Sequence, residues 1–171
     1  MPNLEIDPSA PKPVAQSQVE MTEIVMPNDT NPLGNLMGGR AMQWIDIAAA
    51  IVAGRHSRRQ VVTANVDGID WLNPVRVGSV VVLRASVNFA GRTSMECGVK
   101  VWSQDRATGE LSHVASAYLT FVALDGSTGR PVPVPPVLPE TPEQRRRFEQ
   151  AKQRRERRLA DRQIRKADQE A

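Results

Sequence analysis

The stretch from Asn28 to Gly54, NDTNPLGNLMGGRAMQWIDIAAAIVAG, constrains the fold more than any other: a polar loop broken by glycines feeds one helix that is apolar nearly all round. A helix with so little polar circumference cannot lie on a surface and has to be wrapped by other elements. Read as a helix from about Gly39 to Val52 and ending near Gly54, it places Met42, Ile45, Ala49 and Val52 at i, i+3, i+7 and i+10 on one stripe, and Asp46 inside that stripe. A carboxylate on a buried helix face has to be paired, hydrogen-bonded or shifted in pKa, because an isolated buried charge costs several kcal/mol. Asp46 is therefore the first candidate functional residue. A partner for backbone amides or for an arginine is the structural alternative, and the residues alone leave both open.

The loop before the helix adds a second feature. Gly34, Gly38 and Gly39 permit close backbone approach, and the first amides of a helix have no partner within it. Such an end attracts an anion or a developing oxyanion. A helix start that can polarise a carbonyl, followed by an inward carboxylate, points to acyl-transfer hydrolysis. A glycine pair that only makes a turn is the plainer reading.

At 171 residues the chain has room for one domain with an ordinary core plus tails. A single cysteine, Cys97, excludes an intramolecular disulfide framework and fits a reducing compartment. The start, MPNLEIDPSAPKPVAQ, has neither the basic opening nor the apolar core of a signal peptide. No run approaches the about twenty apolar residues of a membrane span. A cytoplasmic protein is expected. The net charge of +3 is uneven: residues 140–171 hold 11 Lys+Arg against 7 Asp+Glu, which leaves the body at −1. Any attraction to nucleic acid would belong to that tail.

Along the chain, residues 1–17 carry Pro2, Pro8, Pro11 and Pro13 among small and polar residues and read as a mobile arm. Val19–Met26 reads as the first strand. After the helix the period changes to β-rich runs at Val61–Val66, Val80–Phe89, Ser94–Trp102 and His113–Leu124, separated by short turns. Short connections favour antiparallel neighbours, and a sheet curling around the one helix is the expected α+β arrangement. Asp67, Gly68 and Asp70 read as solvated turn residues at a strand exit. The proline density of residues 127–143 implies an extended linker, and residues 144–171 a solvated, charged, partly helical extension with too few apolar residues for a core. The globular unit is thus expected over residues 18–126.

Several chemistries lack their residues. No G-x-S-x-G stands at a strand-to-helix turn, and the nearest string, Gly126-Ser127-Thr128-Gly129, lies in the linker. His56, His113 and Cys97 do not make a metal-ligand set, and no glycine fingerprint for a dinucleotide or phosphate loop follows a strand. An enzyme of this composition would work with a carboxylate, amides and water.

The string Asn28-Asp29-Thr30-Asn31-Pro32-Leu33-Gly34-Asn35-Leu36-Met37-Gly38-Gly39, followed by Met42, Asp46 and Ala48-Ala49, resembles the acyl-CoA thioesterases of the hot-dog fold. Val61-Val62-Thr63, Val66-Asp67-Gly68, Leu72, Pro74-Val75 and Gly78 look like that family's second and third strand region, and Gly91-Arg92-Thr93-Ser94-Met95 like its turn into the fourth strand. The similarity covers about Val19 to Leu124. It implies an antiparallel sheet wrapped around one long helix, and protomers that pair by their sheet edges and often assemble as trimers of dimers. It further implies an active site between protomers, with Asp46 as general base or nucleophile and Asn31 of the opposite protomer positioning water or carbonyl. The amides of Gly38 and Gly39 would hold the thioester oxygen, and Arg92, Thr93 and Ser94 the coenzyme A phosphates. Neither metal nor cofactor is implied beyond coenzyme A as part of the substrate. Pro32 and Met37 depart from the family's usual residues beside the thioester. A hot-dog dehydratase would need a histidine in the site. A non-catalytic acyl-CoA sensor whose tail RRRFEQAKQRRERR touches nucleic acid is the alternative from another class.

Overall fold

The apolar helix, α1, spans Gly38–Ser57 in a computed structural model that describes residues 7–170, with side chains over residues 7–164. Gly54 lies inside it, and the left-handed cap is Arg58 at φ 52°, whose amide donates to Gly54 O at 2.7 Å. The helix therefore runs one turn beyond the expected end. Its buried side is Ala41, Trp44, Ile45, Ala48, Ala49, Val52, Ala53 and His56. The expected stripe is rotated by this result, because Met42 is 46% exposed and Asp46 lies on the flank, half-buried.

Among the described residues one five-stranded antiparallel sheet wraps that buried side. It is built from β2 (Val19–Ile24), β3 (Gln60–Trp71), β4 (Val80–Ala90), β5 (Ser94–Gln104) and β6 (Leu111–Leu124) in the order β2-β4-β5-β6-β3. Alternate residues face the helix: Val81, Leu83, Ala85 and Val87 from β4, Met95, Cys97, Val99 and Val101 from β5, and Ala115, Ala117, Leu119 and Phe121 from β6. This period of two against a helical stripe makes the core. Two connections are tied by the same device, with Asp105 and Asp125 each accepting amide bonds within Asp-x-x-Thr-Gly and glycines at positive φ closing the turns. These amide and hydroxyl donors hold both carboxyls below the usual carboxylate range.

Residues 67–70 are not a strand exit. They lie within β3, whose pairing with β6 is broken by register shifts between Thr63 and Asn65 and between Val66 and Gly68. Each shift sets two β3 residues against one step of β6, which is how a strand can carry Asp67 and Gly68 through its interior.

The tails are also more ordered than their composition suggests. The first six residues of the expected arm lie outside the described part, but Val14 and Ser17 are buried and β1 (Lys12–Pro13) pairs in parallel with β7 (Val137–Leu138). The proline-rich segment docks through its valines: Val132 and Val134 amides donate to Ala123 O and Arg92 O at 3.0 Å, and Val134 and Val137 join the core. Helix α2 (Pro142–Glu170) then crosses the outer face of the sheet. Phe148 packs on Phe89 with ring centroids 5.2 Å apart, Ala151 is fully buried, and Arg154 Nη2 donates to Glu96 Oε1 at 2.7 Å with its guanidinium 3.7 Å above the Tyr118 ring. The expected solvated extension is thereby corrected for the first half of the helix, where the contacts are made by Phe148, Ala151 and arginine stems instead of by a conventional apolar stripe, while residues 159–164 are exposed as expected.

Candidate active site

The loop before α1 is held at both ends. Asp29 is buried, its Oδ1 2.7 Å from Arg40 Nε in the first turn of the helix, its Oδ2 accepting from Met26 N at 2.9 Å and its carbonyl accepting from Met37 N at 2.8 Å. Asn31 folds the loop on itself, its Oδ1 accepting from the amides of Leu33 and Asn35 at 3.0 and 3.2 Å. Gly34 sits at φ 73°, a conformation that other residues adopt only at a cost. Leu36 N donates to Val75 O at 2.7 Å and so ties the loop to the segment after β3.

Between this loop and that segment lies a cleft of about 430 Å³ lined by Asn31, Gly38, Trp71, Leu72, Val75 and Val114 among others. It opens at the start of α1, where Met37 makes no side-chain cap and Ala41 is the residue whose amide reaches back to Met37 O at 3.0 Å. Gly38 and Gly39 are exposed there, and a Cβ on Gly38 would meet the Trp71 ring at 3.8 Å. The main-chain donors of a helix start thus face a partly apolar cavity.

Asp46 belongs to a different part of the surface. Its Oδ1 accepts a 2.7 Å hydrogen bond from Thr63 Oγ1 of β3, and among the described residues no arginine pairs with it. Around it α1 exposes Met42, Ile47 and Ile51, and β3 exposes Val66, whose cross-strand partner Leu119 shows that it lies on the helix side of the sheet. A hydrogen-bonded carboxylate set in uncovered apolar side chains marks a surface meant to be covered.

One chain therefore separates the expected residues into two groups. Gly39 and Asp46 are seven residues apart on one helix, roughly 10 Å along its axis, so the helix-start amides and this carboxylate do not converge on one carbonyl. Thr63 and Met95 lie opposite the same residue of β6, Phe121, which puts Asp46 and the Arg92–Ser94 turn at one end of the sheet. Trp71 pairs with Ala115 at the other end, roughly 20 Å away along β6, together with Asn31 and Gly38. The turn itself is pinned through its carbonyls, Arg92 O and Thr93 O accepting from Val134 and Ala123, which leaves the three side chains at the surface. Sequence reasoning missed Thr63 and Asp29: the role of each depends on a contact between elements.

Residues 33–110 match the thioesterase superfamily. Over 129 residues the chain is 47% identical to the uncharacterized acyl-CoA thioester hydrolase YkhA of Bacillus subtilis, a match covering 75% of this chain and 74% of that one. The chain belongs to the acyl-CoA thioesterases. The cytosolic acyl coenzyme A thioester hydrolase of Rattus norvegicus is 36% identical to this thioesterase over 144 residues, 83% of this chain and 38% of the rat protein. An acyl-CoA hydrolase from Staphylococcus aureus, solved in complex with butyryl coenzyme A, coenzyme A and coenzyme A disulfide, superposes with a TM-score of 0.87 at 39% identity, covering 93% and 96% of the two chains. An apo-hexameric acyl-CoA thioesterase superposes with a TM-score of 0.85 at 41% identity, over 89% and 97%. The sheet wrapped around α1 is thus the hot-dog fold that the sequence resemblance implied.

Proposed function

We propose that this thioesterase hydrolyses acyl-CoA to the carboxylic acid and coenzyme A in a site assembled from two protomers. One contributes Asp46 and Thr63 with the Arg92–Ser94 turn, and the other contributes Asn31 and the amides of Gly38 and Gly39. The observation that carries this reading is the Asp46–Thr63 hydrogen bond set in an apolar surface that one chain leaves uncovered. β3 is an edge strand with unpaired backbone groups, a natural seam for a second copy. Antiparallel pairing of β3 with itself about a two-fold axis lays the Thr63 end of one strand beside the Trp71 end of the other, and so joins the two groups. The hexameric relative agrees with such assembly. Structures of the Staphylococcus aureus relative include single replacements by alanine of an asparagine, an aspartate and a threonine spaced 15 and 17 residues apart, the spacing of Asn31, Asp46 and Thr63 here.

In the mechanism, Thr63 occupies Asp46 Oδ1, which leaves Oδ2 to take a proton from water. The hydroxide so formed attacks the thioester carbon. The oxygen of the tetrahedral intermediate is stabilised by the helix-start amides, with Asn31 aligning water or carbonyl. Collapse breaks the C–S bond, and the proton held by Asp46 passes to the departing thiolate. Attack by Asp46 itself, through an anhydride, is the second route open to the same carboxylate. The exposed Arg92 and the hydroxyls of Thr93 and Ser94 suit the phosphates of coenzyme A. Against the sensor reading stands the pairing of two tail arginines with the body, Arg154 with Glu96 and Arg158 with Asp67. No helix among the described residues is long and apolar enough to cross a membrane. With the lone thiol buried, we place the protein in the reducing cytoplasm.

The test is Asp46→Asn, assayed by release of free thiol from acyl-CoA esters of increasing length. Cys97 is fully buried and burial pushes its thiol well above the ordinary range, so the protein itself stays silent to the thiol reagent. The substitution keeps size and hydrogen bonding, and kcat should fall about a hundredfold or more. A variant that turns over at the wild-type rate rejects the assignment.

A further inference from the structure

The two irregularities of β3 decide which side of the sheet Asn65 and Val66 face and where Thr63 sits along β6. Thr63 lies opposite Phe121, a core residue, and so points towards α1; the next paired residue, Asn65, lies opposite Thr120 on the outer face, which a regular strand would not allow two positions later. Ala64 is the extra residue. The second shift makes Asp67 the extra residue between Val66, which faces inwards opposite Leu119, and Gly68, which faces outwards opposite Tyr118. Without these bulges Asn65 would face inwards and Val66 outwards, and, with Ile69 held opposite Ala117, Thr63 would slide two residues along β6 from Phe121 to Ala123.

Within one chain β3 is hydrogen-bonded on the β6 side only, and two bulges weaken that side. The outer side is braced by α2. Asn65 Nδ2 donates to Asp67 Oδ1 at 2.8 Å, and Arg158 Nη1 donates to Asp67 Oδ2, with the two charged side chains only 18% and 15% exposed. Arg158 is one helical repeat on from Arg154, which is anchored to the buried Glu96, so its reach to β3 is set by a fixed helix face.

We propose that Arg158 is a positioning residue for the thioesterase site: through Asp67 it locks the bulged register of β3, and that register holds Thr63 opposite Phe121, at the level of Asp46. The basic tail is on this account a brace for the catalytic edge of the sheet. The proposal rests on the reading of Asp46 as the reacting carboxylate.

Arg158→Gln removes the charge and keeps the size. In the full-length protein, kcat for acyl-CoA should drop about tenfold with KM within about twofold, as expected when a reacting group is misaligned and substrate binding is not. Arg158→Lys should recover most of that loss. In a Thr63→Val background, Arg158→Gln should lower kcat no further, because the two act in series. Amide hydrogen exchange over residues 62–66 should speed up in Arg158→Gln while residues 44–52 of α1 stay protected. A folded Arg158→Gln protein with wild-type kcat and wild-type exchange in β3 overturns the proposal, as does a further loss in the Thr63→Val background. If the wild-type protein releases no thiol from acyl-CoA, the Asp46 reading fails separately, and exchange in β3 alone decides whether Arg158 holds the register.

Discussion

Replacing Arg154 by leucine should be among the most damaging single changes on the surface of this protein. Glu96 is 2% exposed, on the outer face of β5, and Arg154 answers it with Nη2 at 2.7 Å and Nε at 3.3 Å from both carboxylate oxygens. Asn88 Nδ2, at 3.5 Å, is the one other side-chain donor bonded to it among the described residues. Breaking a buried pair from one side strands the remaining charge, which costs about 3–5 kcal/mol, and loss of the guanidinium over Tyr118 adds about 1 kcal/mol. Against a domain stability of about 5–15 kcal/mol this is a large share, and in a chain of this size it amounts to a fall in Tm on the order of 10 °C. The assay is urea and thermal unfolding at pH 7 and fixed protein concentration. Glu96→Gln combined with Arg154→Leu should recover a substantial part of the loss, because the stranded charge is gone. A cost below about 1 kcal/mol for Arg154→Leu, or no recovery in the double variant, refutes the idea that α2 is held by this pair.

Two further outcomes follow from the core. His56 is fully buried; burial pushes its pKa below the ordinary value of about 6.5, the nearby Lys12 charge adds to this, and the Pro135 carbonyl 2.9 Å from Nε2 opposes it. Below about pH 6.5 the unfolded chain takes up a proton that the folded one refuses, so stability should fall as pH drops from there to the folded pKa, by at most about 1.4 kcal/mol per pH unit; a His56→Gln variant should show a shallower slope in urea titrations across that range, and equal slopes contradict the assignment. Gly98→Ala would place a Cβ 2.4 Å from Asn88 Nδ2 and 3.2 Å from its Cγ, so Asn88 must leave Glu96; a cost of about 1–3 kcal/mol in denaturant unfolding is expected, and one below about 0.5 kcal/mol contradicts the packing.

The central helix, the wrapping sheet and the loop of Asn31 are legible in the sequence because each follows from local pattern: a 3.6-residue period, a two-residue period, and glycines where the backbone turns. What escaped depends on partners the pattern does not name. Asp46 reads as inward because a single sequence cannot distinguish a face buried by its own sheet from one bare in a single chain; Met42, Ile47 and Ile51 are of the second kind. The extension of β3 through Asp67 and Gly68 is hidden because bulges erase the alternation that marks a strand. The docking of α2 had a signal of a different sort, with Arg147, Ala151, Arg154 and Arg158 at i, i+4, i+7 and i+11, a stripe whose apolar part is mostly arginine stem. Thr63 could be found only once β3 was laid against α1.

The composite site is tested most directly by complementation. Asp46→Asn and Asn31→Ala chains, each inactive alone in thiol release, are co-expressed in equal amounts. Random pairing makes half of the pairs mixed, and each mixed pair holds one site with both an intact Asp46 and an intact Asn31. Activity should return to about a quarter of wild type per chain. Activity no greater than the sum of the two parents would show that Asp46 and Asn31 do not meet across a subunit boundary.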